Sequence, residues 1–120
     1  MSVTRKSAAE IEKMAKAGRI VAEVLALIEE ALVPGVTTAE LDAIAERHIR
    51  ASGGTPSFKG YLGGGRYGSG PDAFPACICV SIDDEVVHGI PGNRVIAAGS
   101  IVSIGEFTIL VAVSIATAVA

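Results

Sequence analysis

Apolar and small residues recur at Ile11, Met14, Gly18, Val21, Leu25, Ile28 and Leu32, in steps of three and four that lay one stripe along a helix. Ile20, Val24 and Leu27 widen the stripe. A coiled-coil seam is narrower, so this helix is expected to pack on a sheet or on another helix. Ser7 with Glu10 three residues on forms a capping-box signature at its start, and Pro34-Gly35 ends it. Thr37 with Glu40 repeats the signature, with Leu41, Ile44, Ala45, His48 and Ile49 on one face until Gly53-Gly54. The pattern predicts a helical hairpin over residues 8–32 and 38–52, joined by a short turn.

Beyond the hairpin the period changes. Thr55-Pro56-Ser57-Phe58 reads as extended, because the residue before a proline avoids the helical region. Residues 60–70 hold six glycines and read as a flexible loop with no single conformation to assign. Ala76-Cys77-Ile78-Cys79-Val80-Ser81-Ile82 is apolar and rich in β-branched residues, a predicted strand. Asp83-Asp84 reads as a turn, Glu85–His88 as a short second strand, Ile90-Pro91-Gly92-Asn93 as a turn and Ile101–Ile104 as a third strand. Two helices followed by strands predict an α+β fold, a helical hairpin packed on an antiparallel sheet.

At 120 residues the chain has room for one domain and a modest core. Half its residues are hydrophobic and its net charge is −3, with no basic stripe, so a nucleic-acid partner is not expected. Cys77 and Cys79 are the only cysteines, spaced as neither a disulfide framework nor a zinc knuckle. Together with an N-terminus lacking an apolar signal, this points to the cytoplasm. After Arg94 the only charge is Glu106, and residues 107–120 carry none. Fourteen residues fall short of the ~20 needed to cross a bilayer, so no membrane span is expected. The stretch reads either as buried strand or as an unprotected sticky end open to self-association.

Most candidate chemistry fails on context. Gly63-Gly64-Gly65-Arg66-Tyr67-Gly68 matches G-x-G-x-x-G, but Ser69-Gly70-Pro71-Asp72 follows where a nucleotide site needs a helix. His48 lies on the apolar face of the second helix and reads as a half-buried, hydrogen-bonded residue. Cys77 and Cys79 alternate with Ile78 and Val80 and read as buried structural thiols. Asp83-Asp84-Glu85 reads as a solvated turn. His88 stands apart: it sits between that turn and Gly89-Ile90-Pro91-Gly92, where glycine admits close approach of another chain and a rigid turn fixes the imidazole.

These pieces, taken in order, resemble one family. Glu10-Ile11-Glu12-Lys13-Met14, Ala17–Val21, Pro34–Thr38 with Glu40-Leu41-Asp42, Pro56–Tyr61, Phe74–Ile82, Asp84–Gly92 and Gly99–Ile104 are similar to segments of the N-terminal half of type I methionine aminopeptidases. Asp84-Glu85-Val86-Val87-His88-Gly89-Ile90-Pro91-Gly92 is the most specific of them. The resemblance implies the N-terminal half of a pita-bread (creatinase/aminopeptidase-like) fold. It also implies an enzyme that removes the initiator methionine from nascent polypeptides with two divalent metal ions (Co, Mn, Fe or Zn). It assigns His88 a catalytic and substrate-binding role, hydrogen-bonding the scissile amide. Tyr61, Phe74 and Cys79 would line the methionine pocket, with Phe58 at its edge.

The departures from the family bear on chemistry. By the same resemblance, aspartate ligands belong where this chain has Gly105 and Ala116, and the other ligands belong to the second half of the fold. Glu106, one step along a strand from the first slot, faces the wrong way. No metal ligand is therefore assigned in this chain, and no cofactor is expected for it alone. The expected organisation is a methionine aminopeptidase-like half domain over residues 1–104 and an unmatched apolar tail over 105–120. The expected product is a truncated or frame-shifted copy, inactive alone. The rivals are a half-enzyme completed in trans and a non-catalytic interaction module.

Overall fold

The computed structural model describes residues 3, 5–106 and 108–109. Helix α1 spans Ala8–Ala31 and α2 spans Thr38–Ala51, close to the predicted bounds. Both starts are built as the sequence specifies. Ser7 Oγ accepts from the Glu10 amide at 3.1 Å while the Glu10 carboxylate accepts from the Ser7 amide at 3.3 Å. Thr37 and Glu40 make the same exchange at 3.2 and 2.7 Å. Each box satisfies an amide that has no partner inside its helix. The next two amides of α2, Thr38 and Ala39, donate to the carbonyls of Arg94 and Gly92, which ties a distant loop to the helix start.

The buried face of α1 is Ala17, Ile20, Val24 and Ile28, not the stripe through Ile11, Met14, Gly18, Val21 and Leu25. The two share Ile28, and Ile20 and Val24 come from the predicted widening of the stripe, so the faces differ by a fraction of a turn. A wide apolar arc leaves its centre to be chosen by whatever packs on it, and here α2 and the sheet choose. Leu25 and Leu27 stay on the exposed side, and Ile11 remains 56% exposed. The second helix contributes Leu41, Ala45 and Ile49, all fully buried, with Ile44 and His48 half-buried at the rim.

Strand β1 is Thr55–Pro56, β2 Tyr61–Gly63, β3 Arg66–Tyr67, β4 Ile78–Ile82, β5 Val102–Glu106 and β6 Thr108–Ile109. They form three antiparallel pairs, β1 with β6, β2 with β3 and β4 with β5. The central pair runs in register from Ile78 opposite Glu106 to Ile82 opposite Val102. One face of β4, Ile78, Val80 and Ile82, closes the core with Ile20, Val24, Ile28, Leu41, Ala45, Ile49 and Ile96, and Val102 and Ile104 of β5 pack against it. Each large aliphatic side chain taken fully out of water there stabilises the fold by roughly 1.5–3 kcal/mol.

Two expectations are corrected. Residues 60–70 are not a shapeless loop: β2 and β3 form a hairpin turned by Gly64-Gly65, both at positive φ, with Tyr61 opposite Tyr67. Glu85–His88 is not a strand. Asp83 and His88 both adopt left-handed backbone, at φ 55° and 60°, which curls the segment between them into a loop. Among the described residues, the β4–β5 sheet against the helices thus has two strands rather than three. The tail over 105–120 falls mostly outside the described residues, apart from Gly105–Glu106 in β5 and Thr108–Ile109 in β6.

Candidate functional site

The predicted residues fall into two groups, one before β4 in the chain and one after it. Ahead of the strand, backbone hydrogen bonds draw Phe58, Tyr61 and Phe74 together. Gly60 N–H donates to the Phe74 carbonyl at 2.8 Å, Phe74 N–H to the Tyr61 carbonyl at 2.9 Å, and Tyr61 N–H to the Phe58 carbonyl at 3.1 Å. The Phe58 and Phe74 rings meet edge to face, centroids 6.0 Å apart. Tyr61 meets Tyr67 at 5.5 Å, and the Tyr67 hydroxyl donates to the Ser57 carbonyl at 2.8 Å. Tyr67 was not singled out from the sequence. Its signal is an aromatic six residues after Tyr61 with glycines between, the spacing of a short hairpin.

Behind the strand lies the His88 loop. The turn at its start is closed by carboxylates: Glu85 accepts from the Ile82 amide at 3.3 Å and pairs with Arg94, and Asp83 accepts from the Ile101 amide at 3.0 Å. His88 itself is exposed. Gly89, the next residue, returns to β4: Val80 N–H donates to its carbonyl at 2.9 Å, and its own amide donates to Ser81 Oγ at 3.1 Å. A Cβ on Gly89 would lie 2.0 Å from the Val80 carbonyl oxygen, so only glycine fits. The close approach expected at this glycine is therefore real, and the chain approached is β4.

Cys79 is buried on β4, on the face opposite the core, where Gly105 of β5 is its cross-strand partner. Burial, and then the Asp42 carboxylate, push its thiol above the ordinary range. Cys77 is fully buried beside Asp42 and Glu46, and its thiol is pushed up to about 12, mainly by burial and then by those two carboxylates. In both, burial and neighbouring carboxylate charge disfavour the thiolate, the nucleophilic form.

Among the described residues, Asp42, Glu46 and Cys77 bring ligand atoms within 4.8 Å of one another. Both carboxylates already have partners. Asp42 Oδ1 accepts from the amides of Cys77 at 2.7 Å and Ile78 at 3.0 Å, and both Glu46 oxygens are held by Lys59 Nζ at 2.8 and 3.0 Å. Lys59 supplies the cation, holding the Glu46 carboxyl below its ordinary value, with Arg50 adding to the effect. The cluster joins α2 to the head of β4 and is structural. His48 is also structural, its Nε2 2.7 Å from the Glu23 carboxylate across the hairpin. It borders an open groove lined by Leu27, Glu30, Ala31, Ile44 and Arg47 on the outer side of the helices.

A helical hairpin against an antiparallel pair whose connecting His-Gly loop is clasped to the first strand makes an α+β scaffold, and the sequence comparison gives its family. The model of metallopeptidase family M24 matches residues 12–109, so the chain belongs to that family. Within it the chain is similar to bacterial methionine aminopeptidases, as its motifs indicate for type I. It is 46% identical over 99 residues to the methionine aminopeptidase of Clostridium perfringens, covering 82% of this chain and 36% of that protein. It is 48% identical over 103 residues to methionine aminopeptidase 1 of Mycobacterium tuberculosis, covering 85% and 35%. The crystal structure of methionine aminopeptidase from Rickettsia prowazekii superposes with a TM-score of 0.79 at 30% identity, over 91% of this chain and 40% of that one. The fold is thus the N-terminal half of the pita-bread architecture, and the chain spans a little over a third of the length of these curated relatives.

Membership in a metallopeptidase family implies divalent metal use. The described residues do not fit a pair of such ions. Position 105, on the Cys79 face of the sheet, is glycine, and the one close trio of ligand atoms is committed to backbone amides and to Lys59. No helix among the described residues is long and apolar enough to cross a membrane.

Proposed function

We propose that this chain is a methionine aminopeptidase-type scaffold that presents a methionine pocket and His88 to the N-terminus of nascent polypeptides in the cytoplasm, without hydrolysing them by itself. In this reading Phe58, Tyr61, Phe74 and Cys79 receive the thioether side chain on an apolar, polarizable wall, and exposed His88 donates to or accepts from the first peptide amide. The half domain over residues 1–104 carries these groups, and 105–120 contributes none of them. The observation that carries the reading is Gly105. It faces Cys79 across the sheet at the position where the resemblance expects an acidic ligand, and glycine offers no side-chain donor. Without a bound divalent ion, water keeps a pKa of about 15.7 rather than about 7, and no strong nucleophile forms at neutral pH.

The test is to incubate the purified chain with a Met-Ala-Ser peptide across a series of Co²⁺, Mn²⁺, Fe²⁺ and Zn²⁺ concentrations. Free methionine is assayed, and binding is followed in parallel by NMR. The expected result is peptide-induced shifts at Tyr61, Phe74 and His88 with no methionine released. Turnover abolished by chelation would overturn the inactive-alone reading. Absence of any shift at these residues would overturn the pocket.

A further inference from the structure

Only two polar residues are buried among the described residues, Thr38 and Ser81, at 2% and 4% exposure. They sit on different elements, α2 and β4, and both spend their hydroxyls on the same short segment. Ser81 Oγ accepts from the Gly89 amide at 3.1 Å. Thr38 Oγ1 accepts from the Gly92 amide at 2.8 Å and donates to the Gly92 carbonyl at 3.1 Å. His88 is the residue just before the first of these ties, and its left-handed φ of 60° is one that a non-glycine side chain rarely adopts. Such a conformation persists only where its surroundings over-determine it. We infer that Ser81 and Thr38 are positioning residues for His88, two buried hydroxyls that clamp the Gly89–Gly92 segment and so hold the imidazole outward in its strained backbone. The inference rests on the reading of His88 as the substrate-facing group, but the clamp itself is a matter of geometry and can be tested separately.

The remaining contacts of the segment support this. Ala39 N–H also donates to the Gly92 carbonyl, and Val80 N–H to the Gly89 carbonyl, so each glycine has a backbone bond beside its hydroxyl bond. The backbone bonds fix where the segment lies. The hydroxyls occupy the amides of both glycines, which would otherwise lack these partners, Gly89 in a buried setting and Gly92 in a half-buried one. Buried hydroxyls on a helix start and a strand middle, 43 positions apart in sequence, converge on glycines three positions apart. General packing does not require that.

The experiment uses the full chain with labelled backbone, comparing the parent with Ser81→Ala, Thr38→Val and Thr38→Ser. Amide exchange at Gly89 and Gly92 and the Cα and Cβ shifts of His88 are followed, with the β4–β5 ladder amides as the internal reference. Exchange at Gly89 in Ser81→Ala, and at Gly92 in Thr38→Val, is expected to rise about tenfold relative to the ladder, the effect of one lost hydrogen bond. The His88 shifts should leave the left-handed range, and Thr38→Ser, which keeps the hydroxyl, should retain parental values. Exchange that rises only in step with the ladder, or His88 shifts that stay unchanged in both hydroxyl-free variants, would overturn the clamp. Should either variant fail to fold, the other and Thr38→Ser still decide. Loss of the clamp with no peptide-induced shift at parental His88 would leave the clamp standing and remove its substrate role.

Discussion

Asp42 joins the second helix to the strand that carries Cys79, and replacing it separates two physical contributions. Its Oδ1 accepts from the amides of Cys77 and Ile78 at 2.7 and 3.0 Å, and both of those residues are fully buried. In Asp42→Ala each amide loses its side-chain acceptor, at roughly 1–3 kcal/mol apiece. Water entering the vacated space returns part of that, so a loss of about 2–4 kcal/mol is expected, a large fraction of the ~5–15 kcal/mol typical of a domain. Asp42→Asn keeps an acceptor oxygen at the same reach. It exchanges charge-assisted bonds of about 1.5–3 kcal/mol for neutral ones of about 0.5–1.5 kcal/mol, but removes the cost of burying a charge. That cost is the larger influence here. Burial, opposed by the two amide bonds and aided by Glu46, holds the Asp42 carboxyl above its ordinary value of 3.8.

The pH dependence follows in sign. A carboxyl whose folded pKa is raised contributes stability that is fully present below its unfolded pKa and is lost as pH rises through the folded one. Asp42→Asn should therefore gain on the parent as pH climbs from about 4, and then level off once Asp42 is fully ionised. Urea unfolding of the three chains between pH 3.5 and 8 measures this, with equal slopes required so that midpoints report stability. If Asn proves as damaging as Ala at neutral pH, the charge rather than the acceptor geometry holds the joint, and the reasoning from burial fails.

The other expectations are simpler. Cys77 and Cys79, buried and with raised thiol pKa values, should react with a water-soluble disulfide reagent at pH 8 only at the rate at which the fold opens, and at once in denaturant; fast native labelling would show that the strand is open to solvent. Deleting residues 107–120, an uncharged segment of aggregation-prone composition, should lower self-association in sedimentation, although it also removes the β6 partner of Thr55–Pro56; a monomeric parent made less soluble by the deletion would count against a sticky tail.

What could be read from the chain followed from local rules. The capping boxes at Ser7 and Thr37 place both helix starts because each is complete within four residues. The apolar run from Ala76 reads as strand because both of its faces are buried. The His88 loop reads as strand because Val86-Val87 has strand propensity, whereas the left-handed backbone at Asp83 and His88 goes with ties made outside the segment, Ile101 to Asp83 and Ser81 to Gly89 beside His88. The hairpin at 61–67 was missed because glycine carries no hydrophobic pattern, and only the two tyrosines mark it. Ser81, Thr38 and Asp42 escaped for a common reason. Each is an ordinary polar residue in sequence and gains its role from an amide 8, 54 or 35 positions away.

Position 105 is glycine where the family resemblance leads one to expect an acidic ligand, and a single substitution examines how much that difference carries. A Cβ on Gly105 would meet Cys79 Cβ at 3.7 Å, an ordinary van der Waals contact, and its backbone is outside the left-handed region. Gly105→Asp should therefore fold, with a stability change of about 1 kcal/mol or less, since the entropy recovered on replacing glycine offsets the poor strand propensity of aspartate. The new carboxylate would share a face with Cys79 and push that thiol further up. One carboxylate does not hold two divalent ions, because a dinuclear site needs several converging donors and the nearby trio is engaged by amides and Lys59. Calorimetry with Co²⁺ or Mn²⁺ should show weak binding of one equivalent at most, and still no methionine released. Two tight equivalents would mean that residues outside the described set complete the centre, and that Gly105 alone separates this chain from its catalytic relatives.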